Sequence, residues 1–326
     1  MQYSYILLTI LRNVGYNCRY KGAKMSENID NLNSNKHAYL IMCHNNFSVL
    51  ETSLRLLDDT RNDIYIHIDK KVKKYDKDKL LSICRYSRIY FTKKRYKVKW
   101  GTYSQVFVEM YLFKYAFFIK QEKYRYYHLI SGTDLPLKNQ EDMHSFFDNR
   151  YDIFLNCDDD VFAKKHYGRI SNYHFNNKIL NKIIWQFQKV LHIDRIKKYN
   201  MKFYLGANWC SLPNYAVEYL LKKEKFIKKI CHFSVCSDEC YKQFIIFNSP
   251  LANRIFCNKD GHPDNLREVD WTRTNDAGHP HIYDTTDIKL LVNSEKFFAR
   301  KFDENVCPQI ISFIYDYIIN NSAKNN

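Results

Sequence analysis

Glycine and proline are scarce, at eight and six in a chain of 326 residues. Collagen-like and low-complexity architectures need far more of both. The patterns GxGxxG and GxxxxGK[ST] are absent, which removes the two common glycine-rich phosphate cradles. Any phosphate must therefore be held by side chains. No apolar run approaches the ~20 residues of a membrane span. The N-terminal stretch Tyr5–Ile10 ends at Arg12, lacks the basic start and small-residue cleavage site of a signal peptide, and suits interfacial contact or packing. Ten cysteines are too few in so long a chain for a disulfide scaffold. The close group Cys231, Cys236 and Cys240 has no CxxC pair of the kind that holds zinc. Reduced cysteines are expected, and with them a cytoplasmic setting.

What the chain does have is positive charge, +16 in net terms, with 45% hydrophobic and 16% aromatic residues. That apolar content excludes a disordered tail protein and is ample for a sizeable core. The charge attracts nucleic acid, an anionic membrane surface or phosphorylated ligands. The basic runs at 70–74, 93–99, 197–202 and 222–229 are scattered, and none reads as a nucleic-acid arm or motif. Most are expected to be solvated, a minority to bind phosphate. Peripheral contact with anionic membrane, at the inner face of the plasma membrane, is the expected second use; nucleic acid is not an expected partner.

Residues 24–37 are polar and aperiodic and read as a linker. The apolar runs 38–43, 63–68, 88–92 and 126–130 predict buried parallel strands, with a further strand at 151–156. Helical spacing is present over Asn46–Leu57, 76–84, 139–148 and, most strongly, 104–120, with Ser104 as its N-cap. Later helices are expected near 178–198, 213–224, 238–247, 286–294 and 308–320. This alternation predicts an α/β fold with ligands at the carboxyl ends of the strands.

Those ends are polar: Cys43-His44-Asn45, His67-Ile68-Asp69-Lys70 and Ser131-Gly132-Thr133-Asp134. Asp69 is placed to accept hydrogen bonds from a ribose or base, although an aspartate there also starts turns or caps helices. The run Asp158-Asp159-Asp160 reads either as a metal-binding DxD or as a solvated loop. Arg300 and Lys301 are adjacent cations between Phe298 and Phe302. Fixed cations beside a leaving diphosphate can neutralise charge as a metal would, whereas a basic pair at a helix end is the plainer reading. Glu239 falls in the expected first turn of the 238–247 helix, where the positive terminus favours an ionised, proton-accepting carboxylate.

In order along the chain, HAYLIMCHNN, IYIHIDKK, VKWGTYSQV, YHLISGTDLPL, GANWCSL, SDECYKQFIIFNSP, LREVDW and FFARKFD resemble the core 2/I-branching β-1,6-N-acetylglucosaminyltransferases and peptide O-xylosyltransferases, glycosyltransferase family 14. The similarity covers about residues 37–305. It implies a GT-A-type fold, with a Rossmann-like nucleotide-binding half over 37–160 and a mixed acceptor half over 161–305. Residues 1–36 are then an extension and 306–326 a C-terminal helix and tail. It further implies a UDP-sugar donor, carrying N-acetylglucosamine or xylose, a carbohydrate or glycoconjugate acceptor, inversion at the anomeric carbon, and neither metal nor cofactor. The setting is surface polysaccharide or glycoconjugate synthesis.

Residue by residue, the resemblance places donor binding on His44, Asp69, Trp100, Arg300 and Lys301. The catalytic base falls on Glu239 and acceptor binding on Asp134, Trp209 and Trp271. A second diphosphate ligand, an arginine in vertebrate relatives, has no direct counterpart in TRTNDAGHPHIYDTTD, where Arg273, His279 or His281 is expected to substitute. The rival readings are a metal-dependent GT-A transferase using Asp158–Asp160 and a basic binding module for nucleic acid or membranes.

Overall fold

The computed structural model describes residues 34–119, 123–175, 177–274 and 278–322. Tyr5–Ile10 and the linker up to residue 33 lie outside them. The chain opens with β1 (His37–Cys43), α1 (Phe47–Leu56), β2 (Asn62–Ile68), α2 (Lys77–Ile83), β3 (Arg88–Phe91) and α3 (Tyr103–Ile119). It continues with β4 (Tyr126–Ser131), β5 (Leu135–Pro136), α4 (Gln140–Phe147), α5 (Asp160–Lys165) and α6 (Lys178–Val190). Next come β6 (Cys210–Pro213), α7 (Asn214–Lys222), α8 (Glu224–Cys231) and α9 (Tyr241–Phe247). The last elements are β7 (Arg267–Val269), α10 (Ile288–Asn293), β8 (Phe298–Arg300) and α11 (Pro308–Ser322).

The large sheet has the order β3-β2-β1-β4-β6, parallel except for β6 at its edge. This is the mixed α/β architecture expected from the sequence, and its 3-2-1-4 order is that of a mononucleotide-binding half. Side chains alternate across a strand. Accordingly Ala38 and Leu40 of β1 enter one core, with Val106, Leu112 and Phe113 of α3. Tyr39, Ile41 and Cys43 enter the opposite core, with Leu50 and Leu54 of α1 and Met143 and Phe147 of α4. Both faces are covered, which is why β1 reads as one unbroken apolar run. Leu40 is fully buried, so Leu40→Ala costs about 2–5 kcal/mol.

A small sheet, β5-β8-β7, lies beside it, with β8 in the middle. Ile310, Ile311, Ile314 and Ile318 of α11 pack in a third core with Val49 and Leu56 of α1. The C-terminal helix is thus part of the folded body, although the sequence reading closed the domain at 305.

Several sequence expectations are corrected. The strand expected at 151–156 is reduced to bridges of Ile153 with Ile255 and Phe154 with Ser211. Ser211 exchanges both backbone bonds with Phe154, and the next outward residue, Pro213, has no N–H to continue the ladder. The helix expected to reach 198 stops at Val190, and His192 follows with φ 48°. α3 is capped by Thr102, whose hydroxyl accepts from Ser104 N at 3.4 Å, while the Ser104 hydroxyl accepts from Lys99 N at 2.8 Å.

Candidate active site

The strand order reverses between β1 and β4, so the crevice for a nucleotide opens at their carboxyl ends. The tips are stitched together by backbone bonds. Asp69 N donates to Cys43 O at 2.9 Å, and Gly132 N donates to Met42 O at 2.8 Å. A side chain at Gly132 would press on Cys43, with its Cβ 2.7 Å from Sγ, so only glycine permits this approach. The chain leaving β8 joins them, Phe302 N donating to Thr133 O at 3.0 Å.

His44 lies at this edge within the fields of Asp69, Lys71 and Lys301; partial desolvation and the two lysines lower its pKa. Asp69 is buried. Its Oδ1 accepts from Lys71 N at 2.8 Å and its Oδ2 from Val98 N at 3.3 Å. Oδ1 thus serves the loop that Asp69 starts, the turn-forming reading of this residue, while Oδ2 ties in the loop that follows β3.

On one side of the crevice stand the cations. Arg300 ends β8, with its guanidinium 4.6 Å from the Trp209 ring centre and Nε 3.5 Å from Asp134 Oδ1. Burial lowers its pKa, opposed by Asp134 and Glu239; a guanidinium stays charged through such shifts. Asp134 is fully buried and accepts from Ser131 N at 2.9 Å and Ser131 Oγ at 2.5 Å. Asp134, expected at the acceptor, thus pins the strand tip and sits beside Arg300. Trp209 is 7% exposed with an unpartnered indole N–H. Lys301 is half-buried, its pKa lowered by desolvation and by Arg300. Among the described residues its ammonium has no hydrogen-bond or ion-pair partner.

Opposite them lie the carboxylates. Glu239 ends a single 3-10 turn, Ser237–Glu239, and α9 begins only at Tyr241. It therefore sits before that helix and not in its first turn, which corrects the helix-terminus argument. Its carbonyl accepts from Gly206 N at 2.8 Å, and its carboxylate pairs with Arg169. A Cβ at Gly206 would collide with the Asn156 carbonyl oxygen, so glycine is required beside the proposed base as well.

Asp158 faces the same place, pushed up to about 6 by burial, Glu239 and Asp159. Its two neighbours turn elsewhere. Asp159 caps α5 by accepting from Phe162 N at 2.8 Å, and Asp160 pairs with Lys202 at 2.8 Å. Behind Glu239, Asp238 is pushed up to about 7 by burial, Glu109 and Glu239. One oxygen accepts from Gln105 Nε2 at 2.9 Å and the other is unpartnered. Lys242 and Glu109 form a fully buried ion pair beside it. Sequence reasoning missed Arg169, Gln105 and Glu109, since each meets its partner from more than sixty residues away.

Trp100 and Trp271 are 71% and 56% exposed. His279 meets the Trp100 ring edge-on at 6.5 Å. Arg273 pairs with Asp270 and Asp287, both at 2.6 Å, and His281 Nε2 lies 3.0 Å from Asp287 Oδ2. Two of the three residues expected to substitute as a second diphosphate ligand, Arg273 and His281, thus pair with the protein's own carboxylates. Among the described residues two groups have metal-ligand spacing: His281, Asp284 and Asp287, and the buried His37 and His144 with the part-buried Asp148. In the second, His37 Nε2 lies 3.1 Å from Asp148 Oδ1 and the two imidazoles stack at 4.1 Å, which makes it a self-satisfied core cluster.

A solved structure of mouse xyloside xylosyltransferase 1, in its apo form, is similar at 12% identity and a TM-score of 0.38, over 81% of this chain and 96% of that one. No curated protein matches the sequence. Residues 37–294, from β1 through α10, match the family described as Core-2/I-Branching enzyme; Arg300 and Lys301 lie just beyond the match. With most of its length inside that match, the chain belongs to the Core-2/I-Branching enzyme family and is a glycosyltransferase.

Proposed function

We propose that the enzyme moves N-acetylglucosamine or xylose from a UDP-sugar to a carbohydrate hydroxyl, with inversion and without a divalent metal. The observation that supports this reading is the Lys301 ammonium, which has no partner among the described residues, beside Arg300, whose guanidinium lies within the field of Glu239. An acceptor hydroxyl gives its proton to Glu239 and its oxygen bonds to the anomeric carbon. The bond from that carbon to the diphosphate oxygen breaks, and its electron pair leaves with UDP. Negative charge grows on the leaving oxygen, where Lys301 and Arg300 act most strongly. His44, Asp69 and Trp100 serve the nucleoside, Trp209 and Trp271 the acceptor, and Arg273, His279 or His281 makes the second contact with the diphosphate. The work is done in the cytoplasm, on surface polysaccharide or glycoconjugate.

The decisive measurement is UDP release from a panel of UDP-sugars, with and without EDTA. Turnover with one donor that survives EDTA is expected. Turnover abolished by EDTA and restored by manganese would move the chemistry to a metal site at Asp158.

A further inference from the structure

α6 is turned inside out. Its apolar residues recur at helical spacing and form one stripe, yet Ile179, Ile183, Phe187 and Val190 are 74%, 49%, 61% and 74% exposed, with Leu180 and Leu191 beside them at 42% and 65%. The side that faces the protein carries Asn181, Ile184 and Gln188, so only one of its three residues is apolar. Gln188, 4% exposed, accepts from Tyr173 N at 2.5 Å and donates to Tyr173 O at 3.1 Å. Asn181 Oδ1 accepts from Phe175 N at 2.9 Å. The Asn177 side chain caps the first turn, accepting from Ile179 N and Leu180 N at 3.0 Å each. The helix is thus fastened by hydrogen bonds while its apolar face is left to solvent, the reverse of an ordinary surface helix. A contiguous exposed apolar face marks an interaction surface.

The charge around this face says what covers it. No acidic residue occurs between 177 and 193, and Lys182 and Lys189 are exposed along the flank of the stripe. Next to it opens a cleft of about 600 Å³ lined by Lys198, Lys225, Lys228, Lys229 and Arg195. Tyr173 joins the two features: its backbone holds Gln188, and its ring lies 4.4 Å from the Arg195 guanidinium. The nearest acid in sequence, Asp194, is engaged by the Tyr167 hydroxyl at 2.7 Å. An apolar stripe rimmed by cations matches a bilayer of negative surface charge, with the stripe in the acyl boundary and the lysines at the headgroups.

We propose that α6 and its basic rim form the docking surface for an anionic membrane. The proposal is independent of which donor and acceptor the enzyme uses. The test is co-sedimentation of the full chain with vesicles of phosphatidylcholine alone and of phosphatidylcholine with phosphatidylglycerol, at low and high salt. Wild type is expected to partition at least about tenfold more strongly onto the anionic vesicles, and less as salt screens the charges.

The double variant Ile183→Ser/Phe187→Ser removes two apolar side chains that are 49% and 61% exposed. It should melt as wild type does and lose about tenfold or more of that partitioning. Lys225→Gln/Lys228→Gln/Lys229→Gln should lose the preference for anionic lipid. Equal recovery on neutral and anionic vesicles, or undiminished binding by both variants, would overturn the proposal. So would a wild-type dimer in solution that the Ile183→Ser/Phe187→Ser change dissociates, because a second copy would then be the cover.

Discussion

The two walls of the crevice treat charge in opposite ways. Among the described residues Lys301 has no partner and is crowded by Arg300, so the proposed diphosphate would break no ion pair on arriving. Glu239 is held by Arg169, and any acceptor hydroxyl must share it. The cation wall is built for an anion that comes and goes. The carboxylate wall is built to keep one side chain in one place. Preorganisation means an unmet charge in the first case and a met one in the second.

Glu239→Gln tests the contrast most severely. It should keep the fold and UDP binding and lower turnover by ~10²–10⁴-fold, since only the proton acceptor is removed. UDP binding by calorimetry together with product release separates the two effects; turnover within a few-fold of wild type would place the base elsewhere. Lys301→Ala should lower turnover by ~10²–10³-fold, as losing one transition-state donor does, with a smaller loss of UDP affinity. Unchanged affinity and turnover together would reduce Lys301 to surface decoration and erase the contrast.

Asp238→Asn sharpens the account of the carboxylate wall through stability. The Asp238 carboxyl is raised from 3.8 to about 7 on folding, so the native state holds a proton that the unfolded chain has released. Wild-type stability therefore falls as pH rises from about 4 to about 7. The asparagine variant escapes that fall. Its stability advantage, followed by melting temperature across pH, should grow over that window and level off above it, at up to about 2–4 kcal/mol. A pH-independent difference would contradict the raised pKa.

Asp160→Ala should do least. It breaks one exposed pair with Lys202, which is expected to change stability by about 0–1 kcal/mol. Turnover should be the same with and without EDTA.

The parallel half was legible because β1, β2 and β4 are buried on both faces and so announce themselves as apolar runs with polar tips. The small sheet was not: strands of two or three residues carry no period. The positions of Glu239 and Lys301 in the chain could be read, but not what surrounds them. Arg169 reaches Glu239 across 70 residues, and nothing local in GRIS signals the meeting. The resemblance put Asp134 at the acceptor and could not show that its carboxylate accepts two hydrogen bonds from Ser131, three residues back. For α6, periodicity gave the helix but not its facing, which depends on Tyr173 and Phe175 offering backbone groups where a core would offer carbon.

β8 is the central strand of the small sheet and also the last strand in the chain. During synthesis at ~5–20 residues per second, the carboxylate wall is complete well before Arg300 and Lys301 leave the ribosome. A nascent or prematurely ended chain would thus hold a base with no cation facing it. Under the proposed mechanism such a chain would have a proton acceptor but no group to draw off the leaving charge.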